Sequence, residues 1–191
     1  MSTGISFLFV FLAIAIVLVG VIAWAVGVYN RLVMLRNRVD AAWAQIDVQL
    51  KRRYDLIPNL VETVKGYARH ERETFENVTK ARAAAMSARS PAESAQAENM
   101  LTGALKSLFA VAEAYPELKA NQNFLQLQGE LGATENRIST SRDTYNETVR
   151  EFNTSAQLFP ANILAGMFGF RARDFFQVDN AAERQAPKVQ F

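Results

Sequence analysis

Apolar and polar positions divide this chain into one unbroken apolar run followed by a series of helical stripes. From Ile5 to Val28 no residue is charged. These ~24 residues, at ~1.5 Å each, would span about 36 Å, enough to cross a hydrocarbon core of about 30 Å with some tilt. Trp24 and Tyr29 fall where an aromatic belt would lie. A cleaved signal peptide is the competing reading, because Ala23-Trp24-Ala25 has the small-x-small cleavage form. The run is too long for that, and no basic residue precedes it. A buried core helix without a polar face is a further alternative. The residues upstream are Met-Ser-Thr-Gly, whereas Arg31, Arg36, Arg38, Lys51, Arg52 and Arg53 follow. The positive-inside rule therefore predicts an N-terminus outside and the bulk of the chain in the cytoplasm.

Beyond the apolar run, hydrophobic residues recur every three or four positions, the period of an amphipathic helix. Val28, Leu32, Leu35, Val39, Ala42, Ile46 and Leu50 form a stripe that continues the first helix, since neither Gly nor Pro falls between Val28 and Ile57. Leu60 or Val61, Val64, Tyr67, Glu71, Phe75, Val78, Arg82 and Ala85 suggest a second. Ser90-Pro91-Ala92-Glu93 reads as a capping box opening a third, which carries Ala97, Leu101, Ala104, Leu105, Leu108, Ala112 and Tyr115 and stops at Tyr115-Pro116. In the fourth, Phe124, Leu131, Ile138, Tyr145, Phe152 and Phe159 recur every seven residues. Their companions Leu127, Thr134, Ser141, Thr148 and Ser155 are mostly small and polar. A repeat of ~3.5 residues predicts left-handed packing against neighbouring helices. Gly129 and Gly132 interrupt good helix formers, which close packing or a bend would explain.

Between the first two stripes stands QLKRRYDLIPNLVETV, residues 49–64. Pro58 lacks an amide and clashes with the preceding turn, which predicts a helix end near Tyr54 to Ile57 and a tight turn; a kinked continuous helix is the alternative. Four helices with short connections predict an all-α fold: an N-terminal transmembrane helix continuing into an up-and-down antiparallel four-helix bundle. The expected organisation is an anchor over residues 1–29, a bundle over 30–159, an apolar Phe-rich membrane-proximal tail over 160–179 and a polar, flexible C-terminus over 180–191. That topology gathers Arg52, Arg53, Asp55, Asn59, Lys119, Asn121 and Asn123 at the far end. They serve there as caps and local ion pairs, or as a polar docking surface for a partner.

The formal net charge of +2 is too small to imply a nucleic-acid partner. There is no cysteine, which excludes disulfides, thiolate metal sites and a thiol nucleophile. The single histidine, His70, stands with Glu71, Glu73 and Glu76, too weak a set for a metal site. No cofactor and no catalytic residue is expected. Carboxylates distant in sequence, such as Glu62, Glu130 and Glu135, could still meet in space.

The stretches YNRLVMLRNRVDAAWAQIDVQLKRRYDLIPNLVETVKGYARHE, YPELKANQNFLQLQGELGATENRIS, RDTYNETVREFN and FPANILAGMFGF closely resemble the LemA family, nearly collinearly from about residue 28 to 176. The resemblance implies a bacterial protein anchored in the cytoplasmic membrane by a single pass, with a helical soluble part. It brings no agreed active site. Some relatives are associated with magnetosome membrane formation, which favours a membrane-organising role.

The segment FPANILAGMFGFRARDFFQVD is either a strap over the bundle or an interfacial segment, since Phe and Arg together suit a headgroup boundary. Its interface candidates are Phe168, Phe170, Arg171, Arg173, Phe175 and Phe176, with Trp24 and Tyr29 from the span. The leading functional reading is a non-enzymatic scaffold that self-associates and has the lipid bilayer and a membrane-protein partner as its neighbours. The alternatives are an accessory subunit that recruits or regulates a membrane enzyme such as a protease, and an enzyme using carboxylate chemistry.

Overall fold

The computed structural model describes residues 2–177, and for residues 2–6 and 8 the backbone alone. The segment expected to be polar and flexible, 180–191, lies outside the described residues. These residues form α1 (Ser2–Lys65), α2 (Arg72–Ser87), α3 (Pro91–Glu113), α4 (Pro116–Lys119), α5 (Gln122–Gln157) and α6 (Ala161–Met167). No strand occurs among them. The all-α expectation holds, with one N-terminal helix long and apolar enough to cross a membrane. The chain divides into two compact units: Met1–Ala41 with Glu147–Arg173, and Ala42–Asn146 with Asp174–Phe191.

The helix end expected at Tyr54 to Ile57 does not occur. α1 runs through Pro58 to Lys65. A proline inside a helix leaves the carbonyl four residues back without its amide donor. That carbonyl belongs to Tyr54, and Arg82 Nε on α2 donates to it at 2.7 Å. Helix α1 therefore keeps its buried stripe through Ile57, Leu60, Val61 and Val64. The turn falls instead over residues 66–71, closed by the Tyr67 and Ala68 amides donating to Val64 O at 3.0 and 2.9 Å. The second stripe is thus shared between the end of α1 and α2, and Tyr67 is largely exposed.

In the second unit the buried apolar residues come from α1 (Ile46, Leu50, Ile57, Leu60, Val64), α2 (Phe75, Val78), α3 (Leu101, Leu105, Leu108) and α5 (Phe124, Leu131, Ile138, Tyr145). Burying each such side chain contributes ~1.5–3 kcal/mol. The cap forms as expected, with Ser90 Oγ accepting from the Glu93 amide at 3.2 Å, but Glu93 reaches back past Ser90 to the Arg89 amide at 2.9 Å. Gly129 and Gly132 meet no close neighbour, so close packing does not account for them.

In the first unit Leu32, Ala156 and Ala165 form a small core, against which Val28 and Phe170 pack. The seven-residue series on α5 stays buried through Phe152 but ends there. Helix α5 stops at Gln157, and Phe159 is 80 % exposed. Helix α6 closes in a Schellman motif. The Gly169 amide bonds Gly166 O at 3.4 Å and the Phe170 amide bonds Ala165 O at 2.9 Å. Gly169 takes the positive φ of 71° that this motif needs. The motif turns Phe170 back onto Ala165 while Met167 and Phe168 point outward.

Candidate functional site

Two successive arginines on α1 have opposite fates because neighbours on a helix are ~100° apart. Arg52 is exposed, whereas Arg53 is 5 % exposed. Arg53 Nη1 reaches Glu98 Oε2 of α3 at 2.6 Å and Glu135 Oε2 of α5 at 3.1 Å, and Nη2 donates to Thr102 Oγ1 at 2.9 Å. The Tyr54 hydroxyl donates to the other Glu98 oxygen at 2.5 Å. Burial pushes the Glu98 carboxyl above the usual range; Arg53 and the Tyr54 hydroxyl pull it back, and Glu135 adds to the rise. Burial, and then Glu98, push the Tyr54 hydroxyl upward, so it stays a donor.

Arg53 is thereby removed from the expected docking surface, because it serves as the internal counter-charge of α3 and α5. Of Glu62, Glu130 and Glu135, only Glu135 meets Arg53; Glu62 pairs with Lys65, and Glu130 accepts from Gln126. Arg53, Thr102 and Glu135 line a cleft of about 290 Å³ together with Lys106 and Gln128, and its apolar side is Leu105, Phe109 and Leu131. Glu98, the buried carboxyl, does not line it, and Glu135 pairs with Arg53. The arrangement ties α1, α3 and α5 together through one guanidinium.

The other far-end residues are only partly brought together. Asn121 Oδ1 caps α5 by accepting from the Phe124 amide at 3.1 Å, while its Nδ2 donates to the Tyr67 hydroxyl at 3.0 Å. Lys119 pairs with Glu113, and Asn123 is exposed. Arg52, Asp55 and Asn59 are exposed on α1, and among the described residues no hydrogen bond or ion pair joins them to Lys119, Asn121 or Asn123. The shifted turn brings a different set to the surface. Lys65, Arg69, Arg72 and Lys80 line an open concavity of about 560 Å³ around Phe75, with Glu76 its one carboxylate. Lys80 pairs with Glu76 and Lys65 with Glu62, which leaves Arg69 and Arg72 without an ion pair among the described residues.

The tail divides between strap and surface. In the first unit, Asn153 Nδ2 donates to Arg173 O at 2.9 Å and its Oδ1 accepts from the Arg173 amide at 2.8 Å. The Arg173 side chain reaches Asp40 at 2.8 Å. In the second, Asn146 makes the same two bonds to Phe176 at 3.1 and 2.9 Å, and the Tyr145 hydroxyl donates to Asp174 O at 2.8 Å. Phe176 is 1 % exposed and packs on Trp43 and under the Arg142 guanidinium. Phe170 is half-buried beneath Arg36. Phe170, Arg173 and Phe176 are therefore strap residues, held by polar and ring contacts, and Phe175 between them is half-buried. Trp24, Tyr29, Phe168 and Arg171 remain exposed. The two asparagines were not singled out from sequence; their shared spacing of seven was the available signal.

The LemA family model matches residues 42–191. The chain belongs to the LemA family. The match begins at the start of the second unit, after the apolar run. Among its relatives, protein LemA of Metamycoplasma hominis is 29 % identical over 168 residues, covering 85 % of this chain and 75 % of the relative. Magnetosome protein MamQ 2 of Paramagnetospirillum magneticum is 26 % identical over 181 residues, covering 81 % of this chain and 66 % of that protein. Magnetosome protein MamQ of Magnetospirillum gryphiswaldense is 24 % identical with the same coverage. The chain thus spans slightly under two thirds of the length of these MamQ relatives.

Proposed function

We propose that this LemA-family chain is a non-enzymatic, single-pass membrane scaffold. Its second unit acts as an up-and-down antiparallel four-helix bundle in the cytoplasm and self-associates. One observation carries this reading. α1 is a single helix whose early residues expose Phe11, Val17, Val19 and Ile22 and whose later residues bury one stripe from Leu32 to Val64. A helix apolar all round needs an apolar solvent, whereas a striped one needs a protein core. The magnetosome proteins among its relatives support a membrane-organising role. Chemical crosslinking of the full chain in mild detergent tests it: discrete oligomers are expected, and a strictly monomeric chain would remove the scaffold reading.

The accessory-subunit reading is favoured by one feature, the concavity around Phe75 with Arg69 and Arg72, which make no ion pair among the described residues. That surface suits an acidic segment of a membrane-protein partner, with exposed Arg52, Asp55, Asn59, Lys119 and Asn123 as further docking candidates. Stoichiometric co-purification of one partner from membranes, lost in Arg69→Glu/Arg72→Glu, would replace the scaffold reading with this one.

A further inference from the structure

Outside the apolar run, the largest group of exposed hydrophobic side chains on one short segment among the described residues surrounds α6. Leu158 is 60 % exposed, Phe159 80 %, Ile163 55 %, Met167 73 % and Phe168 58 %. An exposed set of this kind marks an interaction surface. The same segment is held to its unit from its inner side. Ala165 is buried, Phe170 packs on the Leu32–Ala156–Ala165 core, and the Asn153 amide fixes the main chain at Arg173. The bulky side chains point outward from a well-fixed backbone.

We infer that Leu158, Phe159, Ile163, Met167 and Phe168 form an interfacial wedge. It lies in the headgroup–acyl boundary of the same bilayer that α1 crosses and gives the chain a second membrane contact. The inference rests on the α1 anchor of the proposed function and deepens it.

Three observations select lipid as the occupant. First, the segment is continuous with the end of the apolar span. The Phe168 ring lies 4.9 Å from that of Tyr29 and the Phe170 ring 5.7 Å from it, and Tyr29 directly follows Val28, where the apolar run ends. Second, cations surround this level. Arg31, Arg36 and Arg171 are exposed, and Arg36 lies 5.6 Å over the Phe170 ring. Guanidinium groups beside aromatic rings suit lipid phosphates above an acyl boundary. Third, the length suits a shallow contact: α6 has seven residues, far too few for a second span, while an interfacial helix needs to enter the boundary by only about 5–10 Å.

The wedge and the strap also resolve the alternatives for the tail. Phe170 and Phe176 are spent on the protein. The lipid-facing role falls to residues on either side of α6 and within it, of which only Phe168 was an interface candidate from sequence.

The chain has no cysteine, so single-cysteine labelling tests this in the full protein. Phe159→Cys, Ile163→Cys, Met167→Cys, Val19→Cys and Leu125→Cys would each carry the fluorophore NBD. The proteins would be reconstituted in phosphatidylethanolamine–phosphatidylglycerol vesicles containing brominated lipids. Labels at 159, 163 and 167 should emit at shorter wavelength and be quenched most by bromines near the glycerol end. The label at 19 should be quenched most by deep bromines. The label at 125, exposed in the second unit, should be quenched only by aqueous iodide. Iodide quenching at 159, 163 and 167 with deep quenching at 19 would overturn the wedge and leave the anchor standing. Protection of those three labels from both quenchers would also overturn it, since a second copy or a protein partner would then cover the face. Iodide quenching at 19 would remove the anchor and the wedge together.

Discussion

The two stretches of α1 are the same helix in different solvents. From Phe9 to Ile22 it exposes nearly every apolar side chain. From Leu32 to Val64 it buries one stripe and leaves Arg36, Lys51, Arg52 and Asp55 exposed. Both belong to one unbroken α-helix. What differs is the number of faces that carry apolar residues, and this dictates what must surround each stretch. The later stretch also tolerates a proline and a buried arginine, because other helices supply the missing donor and the missing counter-charges. Among the described residues the early stretch has no buried position, and it carries neither a proline nor a charged residue.

Matched substitutions sharpen the contrast most. Ile46→Asp puts an unpaired charge at a site that is 0 % exposed. It should cost several kcal/mol and abolish the cooperative denaturant transition of the detergent-solubilised chain. Val17→Asp should leave that transition in place and weaken membrane insertion by ~2.5–3.5 kcal/mol, read by alkaline extraction from membranes. Equal effects of both on unfolding would erase the distinction.

Next in size is Arg53→Gln, which strands Glu98 and Glu135. A loss of ~3–5 kcal/mol is expected, whereas Arg52→Gln one residue earlier should stay within about 0.5 kcal/mol. Denaturant midpoints of the two variants decide whether the buried network is real.

Arg82→Gln should cost ~1–3 kcal/mol by leaving the Tyr54 carbonyl unpaired. Pro58→Ala restores an amide to that carbonyl and removes a helix breaker, so it should stabilise the chain. Combined with it, Arg82→Gln should cost less. A double-mutant cycle with no coupling would mean that Arg82 is not the substitute donor.

The smallest effect is a pH dependence. The Glu98 carboxyl is raised above its unfolded value of 4.5. Its stabilising contribution is therefore full below that value and is lost as pH rises through the folded value. The stability of the native chain relative to Glu98→Gln should decline from acid towards neutral pH. A rise would show that Arg53 outweighs burial.

Much of this was legible in the sequence. The stripes on α1, α3 and α5 predicted their buried residues because helical period is a local property. The cap of α3 was legible for the same reason. Pro58 misled because its remedy is remote: the donor to Tyr54 O is Arg82, 28 residues away. Arg53 looked like a surface charge because its partner Glu98 lies 45 residues off. A run of three basic residues shows charge but not direction, and ~100° of helix rotation separates a solvated guanidinium from a buried one. For the tail, composition alone allowed both strap and surface. It could not assign Phe176 to one and Phe168 to the other, because that division depends on Asn146, Asn153 and Gly169.

Asn146 and Asn153 grip the peptide group rather than any side chain. Each offers one acceptor and one donor to the N–H and C=O of a single tail residue. Such a grip is blind to what the gripped residue is, so long as it has an amide hydrogen. The main-chain part of the fastening therefore survives any replacement at 173 and 176 except proline, whereas the Arg173–Asp40 pair and the burial of Phe176 depend on the side chains themselves. The asparagines have no such freedom: aspartate would supply two acceptors and lose the donor, and leucine would supply neither. The main-chain hold on this segment is thus set by two side chains of α5.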